Sequence, residues 1–215
     1  MTTRTYNDLC GIARALDVVG ERWAILVVRE LVLGPKRFTD LRAGLRGIGP
    51  DMLSARLRDL EAAGVVARRS LGPPAGAKVY ELTQRGRALE PVLLELGRWG
   101  SVVPPPSATA ELGVDSAVLA LPSLFDAEAA GDLEESYGLR LDGQDFEVRI
   151  AGGAIGTDRG EPGSPVAKLA TDPGTFAALL WQGLDLTAAE AAGSAAVEGD
   201  RRAAKRFLGL FPLPG

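Results

Sequence analysis

Three consecutive prolines, Pro104, Pro105 and Pro106, forbid a helix through the middle of this 215-residue chain. Proline fixes φ and carries no N–H, and runs of it act as semi-rigid extended spacers. The segment SVVPPPSATAELG, residues 101–113, is therefore expected to be a linker between a domain at 1–100 and another at 114–215. Charge changes sign across it. Residues 1–103 carry 16 Lys and Arg against 11 Asp and Glu, whereas residues 104–215 carry 8 against 17. The net charge of −4 thus conceals a basic half followed by an acidic one. Because the local field decides partner choice, a nucleic-acid partner belongs with the first half.

The composition excludes several chemistries. The chain has no histidine and one cysteine, Cys10. That removes Ser-His-Asp and Cys-His machinery, zinc sites built on His and Cys clusters, and any intramolecular disulfide. The acidic residues show no calcium-loop spacing, so no metal and no cofactor is expected, and an enzyme is disfavoured. The apolar stretches at 116–125 and 173–184 are too short to span a membrane. The N-terminal MTTRTYNDLC lacks a signal-peptide core. A soluble cytoplasmic protein is the expectation, and no repeat of 20–50 residues stands out.

The first half reads mainly as helices. LCGIARALDVVG places Leu9, Ile12, Leu16 and Val19 on one face. RWAILVVRELVLG spaces Trp23, Leu26, Val27, Leu31 and Val32 helically, and a short helix is expected on Phe38, Leu41 and Leu45. A glycine turn at 47–49 then leads to Pro50, a residue suited to the first helical position. At about 100° per residue, Leu53, Leu57 and Leu60 face inward and Asp51, Ser54, Ala55 and Arg58 face out. Short helix, glycine-containing turn and second helix form the helix-turn-helix pattern. VVARRSLG and KVYELT read as two strands around PPAGA, a basic hairpin carrying Arg68, Arg69 and Lys78. Their alternation leaves the register open. Thr83 is positioned to cap one last helix, QRGRALEPVLLELGRWG.

That order is a winged helix-turn-helix. The stretches ERWAILVVREL, GPKRFTDLR, LSARLRDLEAAGVV and YELTQRGRAL, within residues 10–100, closely resemble the HxlR-type bacterial transcription regulators. The resemblance implies a homodimer, held by its terminal helices, that binds double-stranded operator DNA and controls nearby transcription. A recognition helix enters the major groove by its N-terminal half, so Asp51, Ser54, Ala55 and Arg58 are the residues expected to face DNA. Arg68, Arg69 and Lys78 on the wing are expected at phosphate or the adjacent minor groove, and Arg37 is a further backbone-contact candidate. Solvated surface charge is the competing reading for each arginine.

Two departures bear on specificity. The family commonly has a serine before the proline and a lysine after it, where this chain has Gly49 and Asp51. A carboxylate accepts from cytosine N4 and repels phosphate, while Ala55 offers only apolar contact, for instance to a thymine methyl. Cys10 stands where the family often has a cysteine, which some members use to sense oxidants or electrophiles. A small buried residue of the first helix is the simpler expectation.

In the acidic half, YGLRLDGQDFEVRIAGGAIGTDRG reads as a hairpin turning at Asp142-Gly143. GGAIG is not a dinucleotide fingerprint and reads as a flexible strand end, and DLEESYG as a solvated helix end or loop. AKLATDPGTFAALLWQGLDLTAAEAAGSAAVEGDRRAAKRFLGLF gives strand, Asp172-capped helix, strand and Asp200-capped helix. That stretch is similar to the sterol carrier protein type 2 superfamily, which implies an α+β fold with an apolar cavity. Phe176, Leu179, Leu180, Trp181, Leu184, Phe207, Leu208, Leu210 and Phe211 would line it, or equally fill it as a core. The expected fold is α+β: a winged helix-turn-helix followed by a sterol-carrier-like domain.

These readings describe a dimeric regulator of a pseudo-palindromic operator, with a hydrophobic small-molecule effector bound in the second domain and no membrane partner. The alternative is a lipid or small-molecule carrier whose winged helix serves dimerisation or protein contact. Thiol-based sensing through Cys10 is a third reading.

Overall fold

Leucine periodicity, glycine stops and proline starts set the element boundaries in the computed structural model, which describes residues 5–70, 72, 76–107 and 110–214. The chain divides into two compact units, Met1–Leu93 and Leu94–Gly215.

The first unit opens with helices α1 (Gly11–Val19), α2 (Ala24–Val32), α3 (Phe38–Gly44) and α4 (Pro50–Ala62). Strands β1 (Val66–Ser70) and β2 (Lys78–Leu82) form the wing, α5 (Gln84–Arg87) follows, and α6 (Glu90–Gly100) begins in the first unit and continues into the second. Val27, Val28, Leu31, Leu41, Leu53, Leu57 and Leu60 build one core, closed by Val65, Val66 and Leu82. Pro50 starts α4, and Gly64, at φ 67°, lets the chain turn into the wing. The wing register pairs Val66 with Leu82, Arg68 with Tyr80 and Ser70 with Lys78. Its expected PPAGA tip lies largely outside the described residues, as do parts of both chain ends and of the Pro-rich segment. The single helix expected after Thr83 is instead two. Thr83 caps the first, and the chain turns at Ala88 and Leu89, because Pro91 has no N–H to donate to the Arg87 carbonyl and suits the first turn of a new helix.

The second unit contains α7 (Val114–Leu124) and α8 (Ala127–Ala130), then β3 (Glu135–Leu141), β4 (Gln144–Ala151), β5 (Ala154–Arg159) and β6 (Ala167–Thr171). It continues with α9 (Pro173–Trp181), α10 (Leu186–Ala191), β7 (Ala195–Gly199) and α11 (Arg201–Leu208). The strands form one sheet in the order β5-β4-β3-β6-β7, with β3 and β6 parallel and every other pair antiparallel.

Asp142 and Gly143 turn β3 into β4 with positive φ at both positions, the tight hairpin geometry. Gly152 and Gly153 make a second such turn rather than a loose strand end. DLEESYG is not wholly a helix end or loop, since β3 begins at Glu135. Asp172, Asp185 and Asp200 each accept backbone N–H bonds at a helix start, which adds α10 to the helices legible in the sequence.

One sheet face presents Tyr137, Leu139, Leu141, Phe146, Val148 and Ile150 to the buried core. The other is charged: Arg140 is bidentate on Asp145 at 2.9 Å, and Arg149 pairs with Glu147 and Asp158. Among the described residues no helix is long and apolar enough to cross a membrane.

Candidate nucleic-acid interface

A buried carboxylate fixes the frame of the helix-turn-helix. Glu30 of α2 is 2% exposed, and Arg29 and Lys36 pair with it at 2.7 and 2.6 Å. Gly44 of α3 packs so closely on that carboxylate that a Cβ there would collide with it. Lys36 also exchanges backbone hydrogen bonds with Tyr80 of 3.0 and 2.8 Å, tying the α2–α3 turn to the wing. Arg56 of α4 reaches Asp59 at 2.9 Å and Glu21 at 3.6 Å, which holds α4 to the turn after α1.

On α4, Leu53, Leu57 and Leu60 are buried. The opposite face leaves Asp51 and Arg58 exposed and Ser54 and Ala55 half-buried. Neither Asp51 nor Arg58 forms a side-chain hydrogen bond or ion pair with a described residue. Arg37, the residue before α3, is exposed, and its backbone N–H donates to Asp40 at 3.2 Å. Its guanidinium has no carboxylate partner among the described residues.

The wing does not present its three cations as one set. Strand alternation places Arg68 and Lys78 on the face of Tyr80, where the Arg68 guanidinium lies 5.8 Å from the ring centroid. Arg69 lies on the other face and pairs with Glu81 at 3.3 Å. Sequence reasoning also passed over Arg42 of α3 and Met52 of α4, both exposed. Each sits on an outward helical position, so periodicity alone could have found them.

Both units hold paired cations and cations without a partner. In the first, Arg29, Lys36, Arg56 and Arg69 are paired with carboxylates, while Arg37, Arg42, Arg58 and Lys78 carry no carboxylate partner among the described residues. In the second, Arg140, Arg149, Arg159, Arg201 and Arg206 are paired, and Arg98 and Arg202 have no carboxylate partner among the described residues.

Cys10 corrects one expectation. It is exposed, precedes α1 and is therefore not a buried helix residue. Backbone N–H groups of Ala13 and Ile12 stabilise its thiolate and lower its pKa below the ordinary thiol value. Among the described residues no group of three or more His, Cys, Asp and Glu could hold a metal ion.

The apolar set of the second unit divides by burial. Phe176, Leu179, Phe207, Leu210 and Phe211 are buried, while Leu180, Trp181, Leu184 and Leu208 are half-buried. Phe207 stacks between Tyr137, at 4.6 Å, and Phe211, at 5.1 Å. Trp181 donates its indole N–H to the Phe211 carbonyl at 3.0 Å. Two open grooves lie elsewhere. One of about 500 Å³ in the first unit is lined by Arg14, Val18, Val65, Arg85 and Leu89 among others. One of about 120 Å³ lies by Arg140, Lys168 and Glu198 in the second.

Helices α1 to α4, with one face of α4 turned away from the core, and an adjacent two-stranded wing define a winged helix-turn-helix protein. Residues 18–107 match the HxlR-like helix-turn-helix family model. The chain belongs to that family of DNA-binding transcription regulators. It is 37% identical over 97 residues to YvaP, an uncharacterized HTH-type transcriptional regulator of Bacillus subtilis, covering 44% of this chain and 89% of that one. The HTH-type transcriptional regulator YodB of the same organism is 34% identical over 94 residues, 43% of this chain and 84% of YodB. A solved structure, the sec-alkylsulfatase Pisa1 from Pseudomonas sp., is 18% identical with a TM-score of 0.45, covering 48% of this chain and 17% of that one. The second unit lies outside the family model from residue 108 onward.

Proposed function

We propose that this chain is a one-component transcription regulator. Residues 1–100 bind a pseudo-palindromic operator as a homodimer, and residues 114–215 form a sterol-carrier-like domain that takes a hydrophobic small-molecule effector. The observation that carries the DNA reading is the set of exposed cations on α3, α4 and β2, Arg42, Arg58 and Lys78, that have no carboxylate partner among the described residues. Phosphates are the counter-ions such a surface lacks. Arg58 reaches a base edge or a phosphate from α4, and Arg68 and Lys78 reach phosphate from one face of the wing.

Dimerisation draws support from two exposed apolar stripes. Ile12 and Leu16 of α1 are 72% and 42% exposed, and Val92, Leu96 and Trp99 of α6 are 56%, 47% and 71% exposed. Such rows gain by burial against a second copy. For the effector, the supporting feature is the half-buried state of Leu180, Trp181, Leu184 and Leu208, with Trp181 bonded to Phe211 of the aromatic core.

The test is a fluorescence anisotropy titration with DNA upstream of the gene, at two salt concentrations. Affinity should fall steeply with salt and exceed that for scrambled duplex. Absence of binding there and to a genomic fragment pool would turn the reading to a small-molecule carrier. A second reading, thiol sensing, rests on the exposure of Cys10 and its favoured thiolate. It fails if Cys10→Ser leaves the oxidant response of the DNA complex intact.

A further inference from the structure

Resting on the DNA-binding reading above, we infer that Asp51 selects a cytosine in each operator half-site, accepting a hydrogen bond from its N4 amino group in the major groove. Asp51 is the second residue of α4, in the helix's first turn and on the face opposite Leu53, Leu57 and Leu60. The first turn is the part of a recognition helix that comes nearest the base edges.

The carboxylate is exposed and uncommitted. The preceding Gly49 has no side chain to cap the helix, and Asp51 itself accepts no hydrogen bond from a described residue. Of the other acids of α4, Asp59 and Glu61, Asp59 is held by Arg56 at 2.9 Å and both lie at least eight residues further along the helix. Arg58 stands about 10 Å further along the axis, at 1.5 Å per residue, so it cannot neutralise Asp51 and is free to contact a different nucleotide.

An unneutralised carboxylate is repelled by phosphate, so it is tolerated at the interface only where a donor meets it. The major groove offers two amino groups, adenine N6 and cytosine N4. Beside adenine N6 lies N7, whose lone pair opposes a group that can only accept. Beside cytosine N4 lies the C5–H edge, which carries no lone pair. Cytosine is the base an ionised acceptor prefers. Ala55, one turn on, projects only a methyl group and leaves room for the base pair to approach the helix.

The experiment is selection from a random duplex library with the full chain, its D51N variant and its D51A variant, followed by affinities on the selected site and its single-position changes. The wild-type protein should enrich C·G at one symmetric pair of positions, with a roughly 5- to 150-fold loss on changing it. D51N should move that position to A·T, because an amide both donates to N7 and accepts from N6. D51A should lose preference there and keep it elsewhere. If the three proteins select the same sequence, Asp51 acts only on the helix dipole and the inference is overturned. If the wild-type chain enriches nothing and binds no duplex, the DNA-binding reading fails with it.

Discussion

Glu30 and Lys36 form an ion pair of 2.6 Å in which the carboxylate side chain is 3% exposed. Arg29 stays on the other carboxylate oxygen when Lys36 is removed, so one charge-assisted hydrogen bond is lost and the charge is not stranded. Lys36→Met should therefore destabilise the first unit by about 1.5–3 kcal/mol, read from urea unfolding. Gly44→Ala, which drives a methyl group into the Glu30 carboxylate, should act in the same direction. Stability equal to wild type in both variants would show that the pair does not brace the fold.

DNA affinity should respond differently to each arginine. Arg58→Ala should cost about 1–3 kcal/mol if the guanidinium reads a base, with relaxed preference at one position. Lys78→Ala should weaken all sequences alike and reduce the salt slope by about one. Arg69→Ala should do less, because Glu81 already holds that side chain on the other wing face. Equal losses for Arg69 and Lys78 would contradict the division of the wing into two faces.

Trp99→Glu and Leu96→Glu should convert the proposed dimer to monomer, since each places a charge in an apolar row on α6. Sedimentation velocity reads this directly. A monomeric wild-type chain at micromolar concentration would dispose of the dimer.

The second unit should lose stability at high pH. Burial, and then the hydrogen bond to Glu135, push the Tyr137 hydroxyl from its ordinary value of 10.0 to about 12. The folded state keeps its proton where the unfolded state releases it, so the contribution is complete below about pH 10 and declines toward pH 12. Tyr137→Phe should flatten the fall in unfolding free energy over that window. An unchanged slope would assign the alkaline loss to other groups.

Phe207→Ala should cost about 3–5 kcal/mol, because the ring fills the space between Tyr137 and Phe211. If the unit closes around an apolar ligand, that ligand should recover part of the loss by occupying the vacated volume. Thermal unfolding with and without a fatty-acid probe measures both effects.

Local chemistry in the sequence determined the elements and the family. The leucine spacing of α4, the Pro50 start, the Gly64 stop and the Asp-Gly hairpin turn each depend on neighbours within a few residues, so periodicity and turn preferences expose them. The caps at Asp172 and Asp200 were legible for the same reason. Other features depend on residues far apart in sequence, and only the tertiary structure decided them. Strand alternation separates Arg69 from Arg68 and Lys78, and the register that brings Glu81 to Arg69 is set by packing of Val66 and Leu82 into the core. Glu30 reads in sequence as one more charged helix residue. Burial against Gly44 and pairing with Lys36 make it the brace of the DNA-reading frame. That Asp51 and Arg58 have no ion-pair partner among the described residues is likewise a property of the fold, because it depends on side chains distant in sequence.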